Sequence, residues 1–244
     1  MLLGTLIIVG TFMAFLVGHW MTRRRYHVFT TFPRARREPI ESVHPSSLFF
    51  ERPNRWLLVR SSEIGPVQAA LGMTNPAPCP WSEMVGRMQE RKLFISPPVQ
   101  GWVLVCGNLL PDPADDPDRC FHFVLRLSRA LGSVQLYSVN RSVNHHAWIR
   151  AENGQIFRAY AWAGETIWNQ GEMTAVEREL GLKCFDYGEL PTLFPFSARE
   201  AHFANSEKVA LLAARWSIDP ITMHSQAGLR SLGLCGDLAH HRIR

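Results

Sequence analysis

The densest run of chemically capable residues is Asn140-Arg141-Ser142-Val143-Asn144-His145-His146. Adjacent histidines on a strand point to opposite faces, so His145 and His146 do not converge on one metal ion. His145 is expected on the core face, bonded to backbone, and His146, beside Trp148, at the surface. Cys120 and His122 flank Phe121 in a helical segment, about 200° apart around its axis, and share no face either. Cys79, Cys106, Cys184 and Cys235 are scattered singly without a C-x-x-C pair and read as small buried hydrophobes. Asp112, Asp115, Asp116 and Asp118 lack EF-hand spacing; with Pro111, Pro113 and Pro117 they make a stiff loop running into a helix cap. No P-loop, dinucleotide fingerprint, H-E-x-x-H or G-x-S-x-G is present. We therefore assign no catalytic residue, no metal ligand and no cofactor.

The segment from Ala159 to Glu165, with Trp168, holds the best recognition residues. His146, Trp148, Trp162, Glu165 and Trp168 form the candidate recognition surface, since aromatics beside a Gly164-Glu165 turn can frame a pocket. Such residues more often complete a core. A hydrolase-like enzyme pairing His146 with Glu165 or Asp186 is a minority reading.

Interleaved strands and helices must position these side chains. Residues 56–60 read as a short buried strand. Ser62 is expected to cap a helix with Pro66 in its first turn and Gly72 at its end. A second helix is expected over 81–91, then strands over 93–96 and 101–106. Asp116-Pro117 opens the next helix and Gly132 stops it, with Phe121, Val124, Leu125, Ser128 and Leu131 along one face. A strand follows at 134–139. Strands 145–152 and 155–162 form a hairpin about Asn153-Gly154, the strongest short hairpin signal. Pairing outward from that turn puts Ile149, Ala151, Ile156, Tyr160 and Trp162 on the expected core face. Trp148, Arg150, Glu152, Gln155 and Phe157 fall on the other. Thr174 and Glu177 have capping-box spacing for a helix over 174–180. Residues 185–204 read as irregular, and a last helix spans 206–216. The fold class is α+β, with a mixed, largely antiparallel sheet and flanking helices. The globular domain is expected over 56–220, with a weakly patterned tail over 221–244.

Part of this domain resembles an uncharacterised family of bacterial proteins. The likeness rests on Lys92-Leu93-Phe94-Ile95-Ser96-Pro97-Pro98-Val99 and Gly101-Trp102-Val103-Leu104-Val105. It continues through Leu127-Ser128-Arg129, Val134-Gln135, Asn144-His145-His146-Ala147-Trp148 and Arg158-Ala159-Tyr160-Ala161-Trp162. It covers roughly residues 56–182. The family has no assigned activity, so the resemblance implies no catalytic residue. Residues 1–55 lie outside its pattern, which implies a general-purpose domain here tethered to a membrane.

The tether is read from Leu2 to Trp20, 19 residues without a formal charge. A helix of that length spans about 28 Å, close to the hydrocarbon thickness of a bilayer. The basic residues follow the apolar run and no small-x-small cleavage site is present, which favours a retained anchor over 1–22 rather than a signal peptide. Arg23, Arg24, Arg25, Arg34, Arg36 and Arg37 keep the C-terminal side cytoplasmic by the positive-inside rule. In the basic, proline-containing linker over 23–55 they also lie where anionic lipid headgroups attract them, about 1 kcal/mol each. Gly10, Ala14 and Gly18 form a small-residue stripe against which another membrane helix can pack.

Charge narrows the function further. Residues 21–60 carry nine Arg and three Glu, leaving 61–244 at −1 of the total of +5. A nucleic-acid binder spreads its basic residues over a domain face, so nucleic acid is not an expected partner. The expectation is a non-catalytic, single-pass accessory subunit of the bacterial inner membrane, with its N-terminus outside and its domain cytoplasmic. It would stabilise a multi-subunit complex, an energy-transducing (photosynthetic or respiratory) one being the expected setting. Its partners would be other membrane subunits and anionic lipids. The alternative is a membrane-tethered immunity or regulatory module that binds a protein.

Overall fold

Asn153 and Gly154 adopt positive φ (49° and 80°), as the two-residue turn demands, and close a hairpin of β6 (His145–Glu152) and β7 (Gln155–Trp162). The computed structural model describes residues 54–84, 87, 90, 92–189, 204–227 and 231–238. The expected membrane anchor with Gly10, Ala14 and Gly18, and the linker arginines Arg23, Arg24, Arg25, Arg34, Arg36 and Arg37, lie outside the described residues. No helix among the described residues is long and apolar enough to cross a membrane.

The hairpin belongs to a nine-stranded sheet. The other strands are β1 (Asn54–Arg60), β2 (Met73–Pro80), β3 (Leu93–Ile95), β4 (Trp102–Cys106), β5 (Ser133–Asn140), β8 (Thr166–Gln170) and β9 (Leu232–Leu238). Their spatial order is β2-β9-β3-β4-β1-β5-β6-β7-β8. Every pairing among them is antiparallel, so the sheet is not mixed. Helices α1 (Ile64–Leu71) and α2 (Pro117–Leu131) cover one face. Helices α3 (Ala175–Glu179), α4 (Asn205–Trp216) and α5 (Met223–Gln226) cover the other. With apolar layers on both sides, central strands read as continuous hydrophobic runs. In β1, Trp56 and Leu58 enter one core while Leu57 and Val59 enter the other.

Several local signals act as their chemistry requires. Asp116 accepts a hydrogen bond from the Arg119 N–H at 2.9 Å, and Gly132 ends α2 at φ 83°. The face of α2 that reaches the core carries Cys120, Val124, Leu127 and Ser128, so the buried stripe is turned from the expected one and leaves Phe121, Leu125 and Leu131 partly exposed. Glu63, not Ser62, holds the N-cap position of α1, because the Ser61 hydroxyl closes a local turn onto Glu63 instead. In the expected 81–91 helix, Trp81–Glu83 forms a 3-10 turn.

Three strands depart from the sequence reading. β2 contains Pro76, Pro78 and Pro80, which an edge strand tolerates because one row of its backbone groups faces outward. β8 occupies the opposite edge. β9, inside the expected tail, is inserted between β2 and β3, which carries the domain to residue 238. Its weak pattern comes from two glycines that the sheet needs. A Cβ at Gly233 would lie 2.3 Å from the Ile95 carbonyl oxygen, and one at Gly236 2.7 Å from that of Thr74.

The hairpin faces also differ from strict alternation. Ala151 pairs with Ile156, but Arg150 pairs with Arg158, so Phe157 is an extra residue, a β-bulge. Beyond it every side chain of β7 changes face. Tyr160 and Trp162 therefore join His146 and Trp148, while Ala159 and Ala161 join Ile149 and Ala147.

Candidate functional site

The bulge assembles the most polar part of the interior. Arg158 follows Phe157 on β7 and points into the α3/α4 side of the sheet, with a side chain only 2% exposed. Its Nε donates to Glu177 Oε1 at 2.8 Å, and Glu177 is fully buried. Nη1 reaches Asn169 Oδ1 at 2.7 Å and the carbonyl oxygens of Ala159, Gln170 and Gly171 at 3.0–3.2 Å. Nη2 lies 3.2 Å from Cys184 Sγ. A planar guanidinium with five N–H donors suits this fan of acceptors, as a lysine ammonium would not.

Glu177 is held just as fully. Thr174 and Glu177 form the expected capping box, with Glu177 Oε2 accepting the Thr174 N–H at 2.7 Å. Its other oxygen accepts from both Arg158 and Trp148 Nε1, the latter at 2.7 Å. One carboxylate thus caps α3, neutralises a buried arginine and satisfies a buried indole.

His146 is 2% exposed and stacks on Trp148, with ring centroids 5.7 Å apart. Asn205, at the start of α4, donates to Lys183 O and accepts from Lys183 N, which fixes its amide orientation. Its Nδ2 is therefore the donor facing His146 Nε2 at 3.3 Å. Tyr160 packs against both Trp148 and His146, and its hydroxyl accepts the Phe185 N–H at 3.2 Å. Burial pushes the Tyr160 phenol and the Cys184 thiol up, Cys184 to about 12, despite the neighbouring Arg158 charge. Both stay protonated across the physiological range.

The expected recognition surface is therefore corrected. Trp148, Trp162 and His146 share one face but are buried, because the bulge turns Tyr160 and Trp162 toward them. Trp168 lies in the opposite core, tilted against Phe121 at 5.9 Å. Of the five residues, Glu165 is the exposed one, on the turn between β7 and β8. Asp186 accepts from Asn169 Nδ2 at 3.2 Å. His145, expected in the core, is half-buried at the start of β6.

The sequence reading missed Arg158, Asn169 and Asn205, and took Glu177 for a cap alone. A lone arginine within Ile156–Trp162, a strand that is otherwise apolar, is the signal that points to a buried pair. Among the described residues no group of three or more His, Cys, Asp or Glu is placed to hold a metal ion. A shallow cleft lined by Asn54, Trp56, Val139, Arg141, Ser206 and Ala210 opens between β1, β5 and α4, and an Arg141–Glu207 ion pair at 3.2 Å adjoins it. Comparison of the chain with protein-family models, with curated proteins and with solved structures finds no match in any of the three.

Proposed function

We propose that this chain is a non-catalytic accessory subunit, anchored in the bacterial inner membrane by residues 1–22, whose cytoplasmic domain braces a multi-subunit complex. The observation that carries this reading is the commitment of the domain's strongest polar groups to one another. Arg158, Glu177, Trp148, Asn169 and Asn205 are bonded inside the domain, where they fix α3, α4 and β8 to the sheet. Such a network specifies one rigid arrangement, which suits a brace.

The anchor and its orientation are supported by the uncharged run Leu2–Trp20 and the six arginines from Arg23 to Arg37. Gly10, Ala14 and Gly18 give that helix a face for close packing, and the arginines give the arm an attraction to anionic lipid. The test is native purification of the full-length chain from membranes in a mild detergent, followed by mass spectrometry. Wild type is expected to bring a stoichiometric set of membrane subunits, and Gly10→Leu with Ala14→Leu is expected to lose them. A lone protein, or an unchanged set with the double variant, overturns the reading and favours a tethered module with a soluble protein partner.

A further inference from the structure

Two cysteines that are far apart in sequence meet between β2 and β9. In that ladder Ala77 pairs with Cys235 and Cys79 with Gly233, so Cys79 and Cys235 are diagonal neighbours. Strand alternation puts both on one face, and both belong to the core layer that holds Phe94 and Trp56. The residue directly opposite each is small, Gly233 for Cys79 and Ala77 for Cys235, so no large cross-strand side chain separates the sulfurs. The Cys235 thiol donates a hydrogen bond to Cys79 Sγ, and the Cys79 thiol in turn donates to the Pro80 carbonyl oxygen at 3.6 Å. Cys79 is 1% exposed and Cys235 5%.

Two buried thiols in contact can be oxidised together or can share a soft metal ion. A metal held by two thiolates alone would leave negative charge in an apolar layer. No group of three or more His, Cys, Asp or Glu among the described residues completes such a site. A disulfide is uncharged and suits the layer. We propose that Cys79 and Cys235 are a reversible redox staple, which a small-molecule disulfide, RSSR, oxidises to a covalent link between β2 and β9. Cys79 gives up its proton and attacks RSSR, forming Cys79–S–S–R and releasing the first RSH. Cys235 then gives up its proton, attacks the Cys79 sulfur and releases the second RSH. Two electrons pass to RSSR, and the two thiol protons end on the two RSH molecules. Access comes from β2, an edge strand whose ladder is interrupted between Thr74 and Ala77 and whose Pro76, Pro78 and Pro80 have no N–H. Its opening exposes both thiols. The same movement closes the diagonal separation, about 7–8 Å between Cα atoms, to the roughly 4.4–6.8 Å that a disulfide spans. The link closes a loop through most of the domain, so the oxidised chain resists opening of β2 from β9.

The test incubates the full-length chain, in a nonionic detergent, with excess oxidised glutathione at mildly alkaline pH. Urea below the unfolding midpoint lets β2 open. Non-reducing peptide mapping is expected to show two peptides joined through Cys79 and Cys235, which dithiothreitol separates. After urea is removed, the thermal midpoint of the oxidised chain is expected about 5 °C or more above that of the reduced chain. The β9 amides should exchange on the order of tenfold more slowly. Cys79→Ala and, independently, Cys235→Ala should lose the link and the midpoint shift. Wild-type Cys79 and Cys235 that still react with iodoacetamide on full unfolding, that stop as glutathione adducts, or that link mainly to other cysteines overturn the staple. An unchanged midpoint in the linked chain overturns its locking of β9.

Discussion

Replacing Glu177 by Ala should be among the most damaging single changes in the domain, although it removes only a short carboxylate. The substitution leaves the Arg158 guanidinium 2% exposed without its counter-charge. Breaking a buried ion pair from one side costs about 3–5 kcal/mol. It also strips the Trp148 indole N–H and the Thr174 cap N–H of their acceptor, which adds on the order of 1 kcal/mol. The expected loss is about 4–6 kcal/mol, against a total stability of about 5–15 kcal/mol for an ordinary domain. Arg158→Met should cost about 3–5 kcal/mol, because it strands the carboxylate. The double variant Arg158→Met/Glu177→Ala should fall short of the sum by about 2–3 kcal/mol, since neither charge remains. Arg158→Lys keeps the charge but cannot span the same acceptors and should lose about 2 kcal/mol. Glu179→Gln is the contrast: its Arg215 partner is 2.6 Å away, but both side chains are 56% exposed. That variant should change stability by less than about 1 kcal/mol. Urea unfolding of the full-length chain, followed by tryptophan emission, reads all five. A Glu177→Ala cost below about 1 kcal/mol, or singles that add to the double within about 0.5 kcal/mol, would refute the reasoning.

Two further predictions concern the buried thiols and the bulge. Burial pushes up Cys106, Cys120, Cys184 and Cys235 from an ordinary value of 9.0, and Tyr137 and Tyr160 from 10.0. Above about pH 9 the unfolded chain releases these protons while the fold retains them, so stability that is fully present below pH 9 should fall as pH rises toward 12. Denaturation midpoints measured from pH 8 to 11 check this, and a flat or rising profile would contradict it. Gly171→Ala should cost about 2–5 kcal/mol, because its φ is 76° and a Cβ would stand 2.1 Å from the Phe157 carbonyl oxygen. Gly181→Ala, at φ 63° with only Lys208 Nζ nearby at 3.7 Å, should cost about 1 kcal/mol. Equal thermal midpoints for the two alanine variants would refute the close approach.

Both hairpin strands begin and end where the sequence puts them, because Asn153-Gly154 fixes a turn through its own backbone preferences. Asp116-Pro117 and Thr174 with Glu177 were legible for the same local reason. The bulge at Phe157 was not, since what accommodates it is Gly171, an approach made through the β8 side of the sheet. Losing the bulge reverses the faces of Tyr160 and Trp162, and with them the expected surroundings of His146. Arg158 was illegible on its own, because a charge on a strand ordinarily faces water. Its burial depends on Glu177, which is nineteen positions away and already explained as a cap. β2 and β9 were hidden by prolines and glycines, whose presence in strands is tolerated by their neighbours in space.

The place of β9 has a consequence in time. Thr74 and Asp237 are joined across the β2–β9 ladder although they are 163 positions apart. A ribosome adding about 5–20 residues per second leaves β2 waiting roughly 10–30 s for its partner. During that interval β2 has no strand partner and β3 is paired on its β4 side alone, and Pro76, Pro78 and Pro80 reduce the N–H groups that β2 offers to another nascent chain. A chain that stops short of Leu232 would leave both strands waiting permanently, so this domain depends on β9, a strand made long after the neighbours it joins.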